Sequence, residues 1–252
     1  MTRILVIPGA GAGTRLGAGR PKPLVPVLGR AMIDWLLDLY DALVARVVLV
    51  VSPAAEASVR RHLGPRTGRV TLAIQPQPTG IVDALLAAAP FVEADEAERV
   101  WATWADQIGV LPSTVARLAA VERETAADLV LPTIELDSPY TCLERDAAGR
   151  IVGVRSRREG DELPARAETE IGLFSLSRQA YLDDLRAFAA EAPAGRLTGE
   201  LNFLPFIAWL AARRPVATFP CSDPIEAMGV NTPEELERMA AALRARHEDD
   251  RR

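Results

Sequence analysis

The stretch from Ile4 to Lys22 constrains the fold of this chain more than any other part of its 252 residues. It opens with an apolar run, Ile4 to Pro8, which is typical of a central strand buried on both faces of a sheet. Glycines leave a backbone free to approach a ligand and to turn amide groups toward an anion. The loop after the run therefore predicts a polyphosphate site, because it carries three glycines and two cations: Gly9, Gly11, Gly13, Arg15 and Lys22.

Two common glycine-rich motifs do not match this loop. A Walker loop ends in Gly-Lys-Ser/Thr, which is missing here. A dinucleotide fingerprint places a third glycine where Leu16 stands, and an acidic residue after the second strand, where Ser52 stands. A flexible surface turn would explain the glycines, but it would not explain the run Pro21-Lys22-Pro23-Leu24 beside them.

Composition restricts the class of protein. Hydrophobic residues make up 49% and charged residues 25%, which is ordinary for a globular chain with a sizeable core. The net charge of −5 argues against nucleic-acid or anionic-membrane partners. Cys142 and Cys221 form no CxxC pair, and with two histidines a zinc site is not expected. Without an apolar leader or a membrane-length run, a cytoplasmic protein is expected.

The order of apolar segments predicts an α/β fold. Strands are expected over Val47 to Val51, Val70 to Ile74, Arg99 to Thr103 and Leu129 to Pro132, with helices between them. Such alternation implies right-handed crossovers and a mostly parallel, Rossmann-like doubly wound sheet with helices on both faces. We expect one domain over 1–252, in which about 1–135 form a nucleotide-binding part.

From Tyr140 onward the pattern changes to short strands joined by charged turns. This predicts a small β-rich insertion within an acceptor-binding part of about 136–230. Helices are expected over 178–189 and 200–212, and a further strand over Ile225 to Val230. A closing helix over 232–247 should begin at Thr232, which can cap it, with Pro233 in the first turn.

The stretch Ile7 to Arg15 with Pro21-Lys22 resembles the signature of the sugar-1-phosphate nucleotidyltransferases, Ala-Ala-Gly-x-Gly-Thr-Arg followed by Pro-Lys, with Gly9 in place of the first Ala. The seven-residue spacing from Arg15 to Lys22 is similar to that of the N-acetylglucosamine-1-phosphate uridylyltransferases. The resemblance implies catalytic roles for Arg15, on the β- and γ-phosphates, and for Lys22, toward the α-phosphate. It also implies nucleotide binding by Gly9, Ala10, Gly11, Gly13 and Thr14.

The run from Gln75 to Gly80 resembles the Gln-Pro-x-Pro-x-Gly motif of the glucose-1-phosphate thymidylyltransferases, where the Gln and Gly read a pyrimidine. A Gln amide offers one acceptor and two donors, which suits uracil or thymine. Because the amide can be flipped, cytosine stays open.

The resemblance also implies a magnesium site. Asp106 follows the strand that ends at Thr103, and Asn231 precedes the last helix, in the places where the family holds Mg²⁺. Mg²⁺ takes few protein ligands and fills its shell with water and phosphate oxygens. Taken alone, Asp106 reads as a helix cap and Asn231 as a turn residue.

On the acceptor side the chain departs from the family. Ser156 stands where relatives carry a Glu, and Glu170 stands where they often carry an Asn. The residues expected to bind the acceptor are Arg157, Glu170 and Glu200. A plainer interpretation makes the arginines a solvated surface, with Arg157 or Arg158 paired to Glu170. The sharper one is an acceptor other than plain glucose or N-acetylglucosamine 1-phosphate, such as an amino sugar phosphate.

These features together predict a Mg²⁺-dependent nucleotidyltransferase that joins UTP or dTTP to a sugar 1-phosphate and releases pyrophosphate. The attacking phosphate is already an anion, so no general base is needed, and positioning with charge neutralisation suffices. Two alternatives stay open: a cytidylyltransferase acting on a polyol phosphate or phosphocholine, and an inactive nucleotide-binding regulator. The oligomeric state is also open, with a homodimer as one option.

Overall fold

The computed structural model describes residues 1–11, 13, 16 and 19–249, with twelve strands and seven α-helices in that part of the chain. The strands are β1 (Arg3–Pro8), β2 (Pro26–Val27), β3 (Arg30–Ala31), β4 (Arg46–Val51), β5 (Val70–Ile74), β6 (Arg99–Thr103), β7 (Leu129–Asp137), β8 (Thr141–Arg145), β9 (Ile151–Ser156), β10 (Arg166–Glu170), β11 (Leu173–Ser177) and β12 (Val216–Pro220). The helices are α1 (Met32–Tyr40), α2 (Pro53–Leu63), α3 (Ile81–Glu93), α4 (Pro112–Thr125), α5 (Leu185–Glu191), α6 (Leu204–Ala211) and α7 (Pro233–Asp249).

One large sheet organises the molecule, in the order β10-β7-β11-β6-β1-β4-β5, with β12 also paired to β7. β1 lies in parallel between β4 and β6, and every residue of β1 is buried. The sheet is mainly parallel, which confirms the predicted α/β class. β11 is the exception near the centre, since it runs antiparallel to both β6 and β7.

Two apolar layers cover the sheet. Alternate residues of β1 point to opposite faces, so Leu5 and Ile7 join one core while Ile4 and Val6 join the other. The first core packs α1, α2, α4 and α7, and the second packs α3, α5 and α6. The predicted helices on both faces are therefore present. Among the described helices, none has the length and apolarity needed to cross a membrane.

The β-rich part differs in detail from the sequence prediction. β10 was not expected, and only Ile171 and Gly172 separate it from β11. Both strands pair antiparallel with β7, but Glu170 faces Thr133 whereas Ser175 faces Val130. The chain advances by five residues from Glu170 to Ser175, whereas their partners on β7 are only three residues apart. The two extra residues form a bulge between β10 and β11. β8 and β9 form a separate hairpin, as the predicted small insertion requires.

Two expectations about local structure were wrong. Ile225 to Val230 is not a strand, because Pro224 opens a 3-10 turn and Asp223 accepts a hydrogen bond from the Ile225 amide at 3.0 Å. The helix expected from 200 starts only at Leu204, since the Leu201 amide donates to Thr79 at 2.8 Å. The helix expected over 178–189 is present, since residues 178–191 are helical, with a π-helical turn over 180–184 just before α5.

A buried cluster of charged side chains joins three strands of the sheet to α4. Glu122 is 1% exposed and accepts from Arg3 at 2.6 Å, Trp101 at 2.9 Å and Ser175 at 2.6 Å. Arg99 lies beside it, with its nearest guanidinium nitrogen 3.6 Å from the carboxylate, and burial lowers the pKa of Arg99. One carboxylate therefore joins β1, β6, β11 and α4.

Removing this carboxylate should destabilise the fold strongly. Glu122→Ala leaves two buried guanidinium groups without their anion, and breaking a buried pair in this way costs about 3–5 kcal/mol. Urea unfolding should therefore show a lower free energy of unfolding. Glu124→Ala is the matched control, because Glu124 is exposed and pairs only across the helix surface with Arg117 at 3.3 Å. Equal stability of the two variants would contradict the cluster's role.

Candidate active site

Three predicted residues meet at one point of the structure. The Lys22 ammonium donates to Asp106 Oδ2 at 2.6 Å and to Asn231 Oδ1 at 2.8 Å. Lys22 lies in the loop after β1, Asp106 lies three residues after the end of β6, and Asn231 lies two residues before α7. The Lys22 and Asp106 side chains are 17% and 10% exposed, so the cluster lies in a partly enclosed position. The carboxyl ends of β1 and β6 meet at this edge because the two strands are parallel neighbours.

A glycine makes room for the Asp106 carboxylate. A Cβ on Gly229 would lie 2.8 Å from Asp106 Oδ2, closer than real Cβ atoms approach oxygen. The backbone of Gly229 therefore passes directly against the carboxylate. This explains why the sequence Gly229-Val230-Asn231 must begin with a residue that has no side chain.

Asn231 is held by the start of α7. The Glu235 amide donates to Thr232 Oγ1 at 3.2 Å, and the Thr232 amide donates back to Glu235 Oε2 at 3.0 Å. This reciprocal pair is a capping box, and it confirms the predicted cap at Thr232. The Asn231 amide donates to the same Glu235 oxygen at 2.7 Å. The helix start thus fixes the backbone that carries the Asn231 side chain.

The donor set at this cluster suits a hard cation. A carboxylate oxygen and an amide oxygen already converge on a positive charge, the Lys22 ammonium. Nowhere in the described ranges do three or more His, Cys, Asp or Glu side chains gather as a metal-binding group. A site with one carboxylate and one amide oxygen fits Mg²⁺, which draws its remaining ligands from water and phosphate.

Within the glycine loop, the described residues play different parts. The Gly9 amide donates to Val50 at 2.8 Å, and a Cβ on Gly9 would lie 2.9 Å from Pro23 Cγ. Gly9 therefore serves close packing of the loop on β4. Gly13 has a φ of +59° and lies against the Lys22 side chain. Ala10 is buried and Gly11 is exposed. Thr14 and Arg15 lie outside the described residues, so their roles stay predictions.

The predicted base-reading residues are also together. Gln75 is 6% exposed, and its Nε2 donates to the Gly80 carbonyl at 3.0 Å. Gly80 has a φ of +132°, and a Cβ there would lie 2.4 Å from the Leu201 carbonyl oxygen. Only glycine fits this position, because the backbone of 199–203 crosses directly over it.

Glu170 lies on the Asp106 side of the site. Its carboxylate accepts from the Gly172 amide and from Thr141 Oγ1, the latter at 3.4 Å. Burial raises the pKa of Glu170 to about 7, and the negative charge of Asp106 contributes to the shift. The two carboxylates therefore lie within electrostatic reach of each other.

The interpretation that paired Glu170 with Arg157 or Arg158 is wrong. Arg158 instead forms an ion pair with Glu200 at 2.6 Å, and Arg157 is exposed. Both arginines lie in the 3-10 turn after β9, where Arg157 is exposed to solvent and Arg158 is already paired with Glu200. Of the three expected acceptor residues, Glu170 lies within electrostatic reach of Asp106, whereas Glu200 binds Arg158 and Arg157 is exposed.

Sequence reasoning missed the residues that seat the bulge at Gly172. The Gly172 carbonyl accepts from Thr103 Oγ1 at 2.9 Å and from the Trp104 amide at 3.3 Å. Gln107 Nε2 donates to the Ile171 carbonyl. The partly exposed indole of Trp104 packs on Phe174, with ring centroids 5.3 Å apart. Their position on either side of Asp106 was the signal available in the sequence.

A doubly covered α/β sheet that presents a glycine loop, a lysine and oxygen ligands at one edge defines a nucleotide-handling transferase. The family model for the MobA-like NTP transferase domain matches residues 5–201. The chain therefore belongs to this family of nucleotidyltransferases.

Curated relatives include the bifunctional protein GlmU of Sorangium cellulosum, 29% identical over 97% of this chain and 52% of the relative. The GlmU of Azoarcus sp. is 30% identical over 92% of this chain and 50% of the relative. The chain thus spans about half the length of the curated relatives it matches.

Among solved structures, a putative glucose-1-phosphate thymidylyltransferase from Bacillus anthracis, in complex with a sucrose, superposes with a TM-score of 0.76. It is 18% identical, and the match covers 96% of each chain. At this level of identity, the superposition establishes a shared fold.

The raised pKa of Glu170 makes a prediction about stability. Between its ordinary value of 4.5 and about 7, the folded protein binds more protons at Glu170 than the unfolded chain does. Stability from this site is therefore lost as the pH rises through that window. Glu170→Gln removes the titration, so the variant should gain stability relative to the parent from about pH 5 to about pH 8. Urea unfolding in chelator measures this, and a constant difference would contradict the shift.

Proposed function

We propose that this protein is a Mg²⁺-dependent nucleotidyltransferase that joins a nucleoside triphosphate to a sugar 1-phosphate, giving pyrophosphate and an NDP-sugar. The observation that supports this most directly is the convergence of Lys22, Asp106 and Asn231. Residues far apart in the sequence supply one ammonium and two hard oxygens at the strand ends, beside the glycine loop. Such a group has the charge and the donor types that a triphosphate and its metal require.

The reaction needs little from the protein beyond position and charge. A phosphate oxygen of the acceptor attacks the α-phosphorus, and the bond to the pyrophosphate oxygen breaks. In this proposal Lys22 contacts the phosphate that is attacked, and Arg15 holds the β- and γ-phosphates. Asp106 and Asn231 would hold Mg²⁺, which when bound neutralises triphosphate charge and polarises the phosphoryl oxygens. The attacking group is an anion, so no side chain must remove a proton.

The nucleotide proposed here is UTP or dTTP. Gln75 and Gly80 support this proposal because the buried Gln75 follows β5 at the same carboxyl edge of the sheet as the glycine loop, and its amide hydrogen-bonds to Gly80. A buried amide of fixed position can pair with the edge of a pyrimidine, and an unpaired buried amide would reject the wrong base. We place the protein in the cytoplasm, where nucleoside triphosphates are supplied.

For the acceptor, we propose that residues 136–230 contribute the binding surface and that Glu170 is its central residue. Glu170 lies beside Asp106 and carries a carboxylate whose described partners are the Gly172 amide and Thr141. Such a group accepts from sugar hydroxyls or pairs with an amino group. Arg157 and Glu200 would lie at the outer rim, with Glu200 already bound to Arg158.

A second candidate is a cytidylyltransferase acting on a polyol phosphate or on phosphocholine. The observation that favours phosphocholine is the partly exposed Trp104, which contacts the same Gly172 whose amide binds Glu170. An aromatic face and a carboxylate side by side suit a cationic ammonium group. An inactive regulator is disfavoured, because Lys22, Asp106 and Asn231 are all in contact.

Pyrophosphate release from a panel of nucleotides and phosphomonoesters tests the function. We expect turnover with UTP or dTTP and a hexose or amino-hexose 1-phosphate, abolished by a chelator. Asp106→Asn should lower kcat by about two orders of magnitude or more, the scale of losing a principal charge stabiliser. Asp137→Asn, at an exposed strand end, is the control and should be unaffected. Full turnover of Asp106→Asn would remove Asp106 from the site.

Base selection should depend on Gln75. Gln75→Ala removes the amide that is proposed to read the pyrimidine, so the preference for UTP over GTP should fall about tenfold, the value of one hydrogen bond of ~1.4 kcal/mol. Binding titrations with UTP, dTTP, CTP, GTP and ATP measure the preference. The control is Gln77→Ala, since Gln77 is exposed two residues away. A parent protein that prefers a purine nucleotide would refute the pyrimidine pocket.

A further inference from the structure

A carboxylate outside the predicted site joins two segments of the acceptor part. These are the turn after β9, residues 157–161, and the loop before α6, residues 195–202. Glu159 in the turn accepts from Asn202 Nδ2 at 2.8 Å, from the Leu197 amide at 2.8 Å and from Thr198 Oγ1. The Thr198 amide also donates to it at 3.5 Å, so a single carboxylate binds two backbone donors and two side-chain donors of the loop.

Two ion pairs flank this contact. Arg158 binds Glu200 at 2.6 Å, and Arg196 binds Asp161 at 3.0 Å. Both pairs are partly exposed, and exposed pairs of this kind contribute little. Glu159 lies between them with four donors, and these hydrogen bonds, that of the Thr198 hydroxyl first, lower its pKa to about 2. The Glu159 carboxylate is therefore the central attachment of the turn to the loop.

The far end of the same loop rests on the base-reading motif. The Leu201 amide donates to Thr79 at 2.8 Å, and the Leu201 carbonyl accepts from Val82 at 3.3 Å. Gly80, between these two contacts, has no room for a Cβ beneath Leu201. Gln75 in turn binds the Gly80 carbonyl. A change at the base-reading motif therefore acts directly on residues 195–202.

The turn after β9 is connected in the other direction to Glu170, the residue proposed to bind the acceptor. Ser156, the last residue of β9, pairs with Thr141 across the β8–β9 hairpin. Thr141 Oγ1 contacts both Thr169 Oγ1, at 2.6 Å, and the Glu170 carboxylate. In the described structure, a continuous series of contacts therefore leads from Glu159 to Glu170.

We propose that Glu159 is a positioning residue. It ties the turn after β9, and through this turn Glu170, to the loop 195–202 that packs on the base-reading motif. Nucleotide binding would thereby order the acceptor side of the site. The inference rests on the proposed function and deepens it. Glu159 touches neither substrate in this proposal. Its effect is to hold residues 157–161, and through β9 the Thr141–Glu170 contact, in a fixed place relative to Gly80.

Hydrogen exchange with mass spectrometry tests this inference without relying on turnover. The probe is UTP with Mg²⁺, added to the full chain, and the peptides of interest cover 75–82, 195–202 and 156–161. In the parent protein UTP should slow exchange in all three. In Glu159→Gln it should still slow exchange in 75–82 but no longer slow it in 156–161. With UTP bound, the 156–161 peptide should then exchange at least about tenfold faster than in the parent, because charge-assisted hydrogen bonds are lost.

The matched control is Glu162→Gln, which removes the same charge from an exposed position three residues away and should behave as the parent does. Thr198→Val removes a donor to Glu159 from the loop side. It should reproduce the Glu159→Gln result through a change on the other side of the contact. In steady-state assays, Glu159→Gln and Thr198→Val should each raise the KM for the acceptor more than they lower kcat. A purely structural role would instead lower kcat through loss of folded enzyme.

The outcomes separate the inference from the function beneath it. If UTP slows 75–82 in every variant and 156–161 responds equally in the parent and in Glu159→Gln, the inference is overturned and the nucleotide site stands. If UTP leaves 75–82 unprotected in the parent, the base-reading site fails and the inference fails with it. Loss of the response at 156–161 in Glu159→Gln and Thr198→Val alone supports the inference.

Discussion

The hydrogen-bonded ion pair between Lys22 and Asp106, extended by the Asn231 amide oxygen, is the interaction on which the rest of the site depends. Each charge is largely enclosed, and either one alone would be costly to leave without its partner. The contact also joins the first and the last parts of the described chain. Asn231 reaches Lys22 only when α7 has docked on the first core, with Met239 and Leu243 buried. The candidate site is therefore complete only in the fully folded chain.

Sheet topology brings the two halves of the proposed reaction to one place. β1 and β6 are parallel neighbours, so the glycine loop and Asp106 leave the sheet at the same edge. β11 then inserts antiparallel beside β6, and the bulge before it carries Glu170 to the Asp106 side. The proposed nucleotide and acceptor surfaces thus share the strand β6. Small changes in the seating of Gly172 are expected to act on both surfaces.

Charge at this edge favours a cation before an anion binds. Asp106 and Glu170 are two carboxylates within electrostatic reach of each other, and Asp106 already binds the Lys22 ammonium. Burial is the main cause of the raised pKa of Glu170, and the negative charge of Asp106 adds to it because a like charge opposes ionisation of the Glu170 carboxyl. Additional positive charge relieves this repulsion. The proposed metal site and the predicted role of Arg15 follow the same electrostatic requirement.

Sequence alone determined the strands and the loop that define the class. The buried run of β1, the alternation of strands and helices, Asp106 after β6 and the cap at Thr232 all depend on neighbouring residues, and local patterns report them. Tertiary structure decided which distant groups meet. Glu170 has Gly172 and Thr141 as partners where Arg157 or Arg158 was expected, and 225–230 lies in a 3-10 turn and the loop after it, although it is mostly apolar. Register, bulges and turns set these distances, and they arise from contacts between segments that no short stretch of sequence contains.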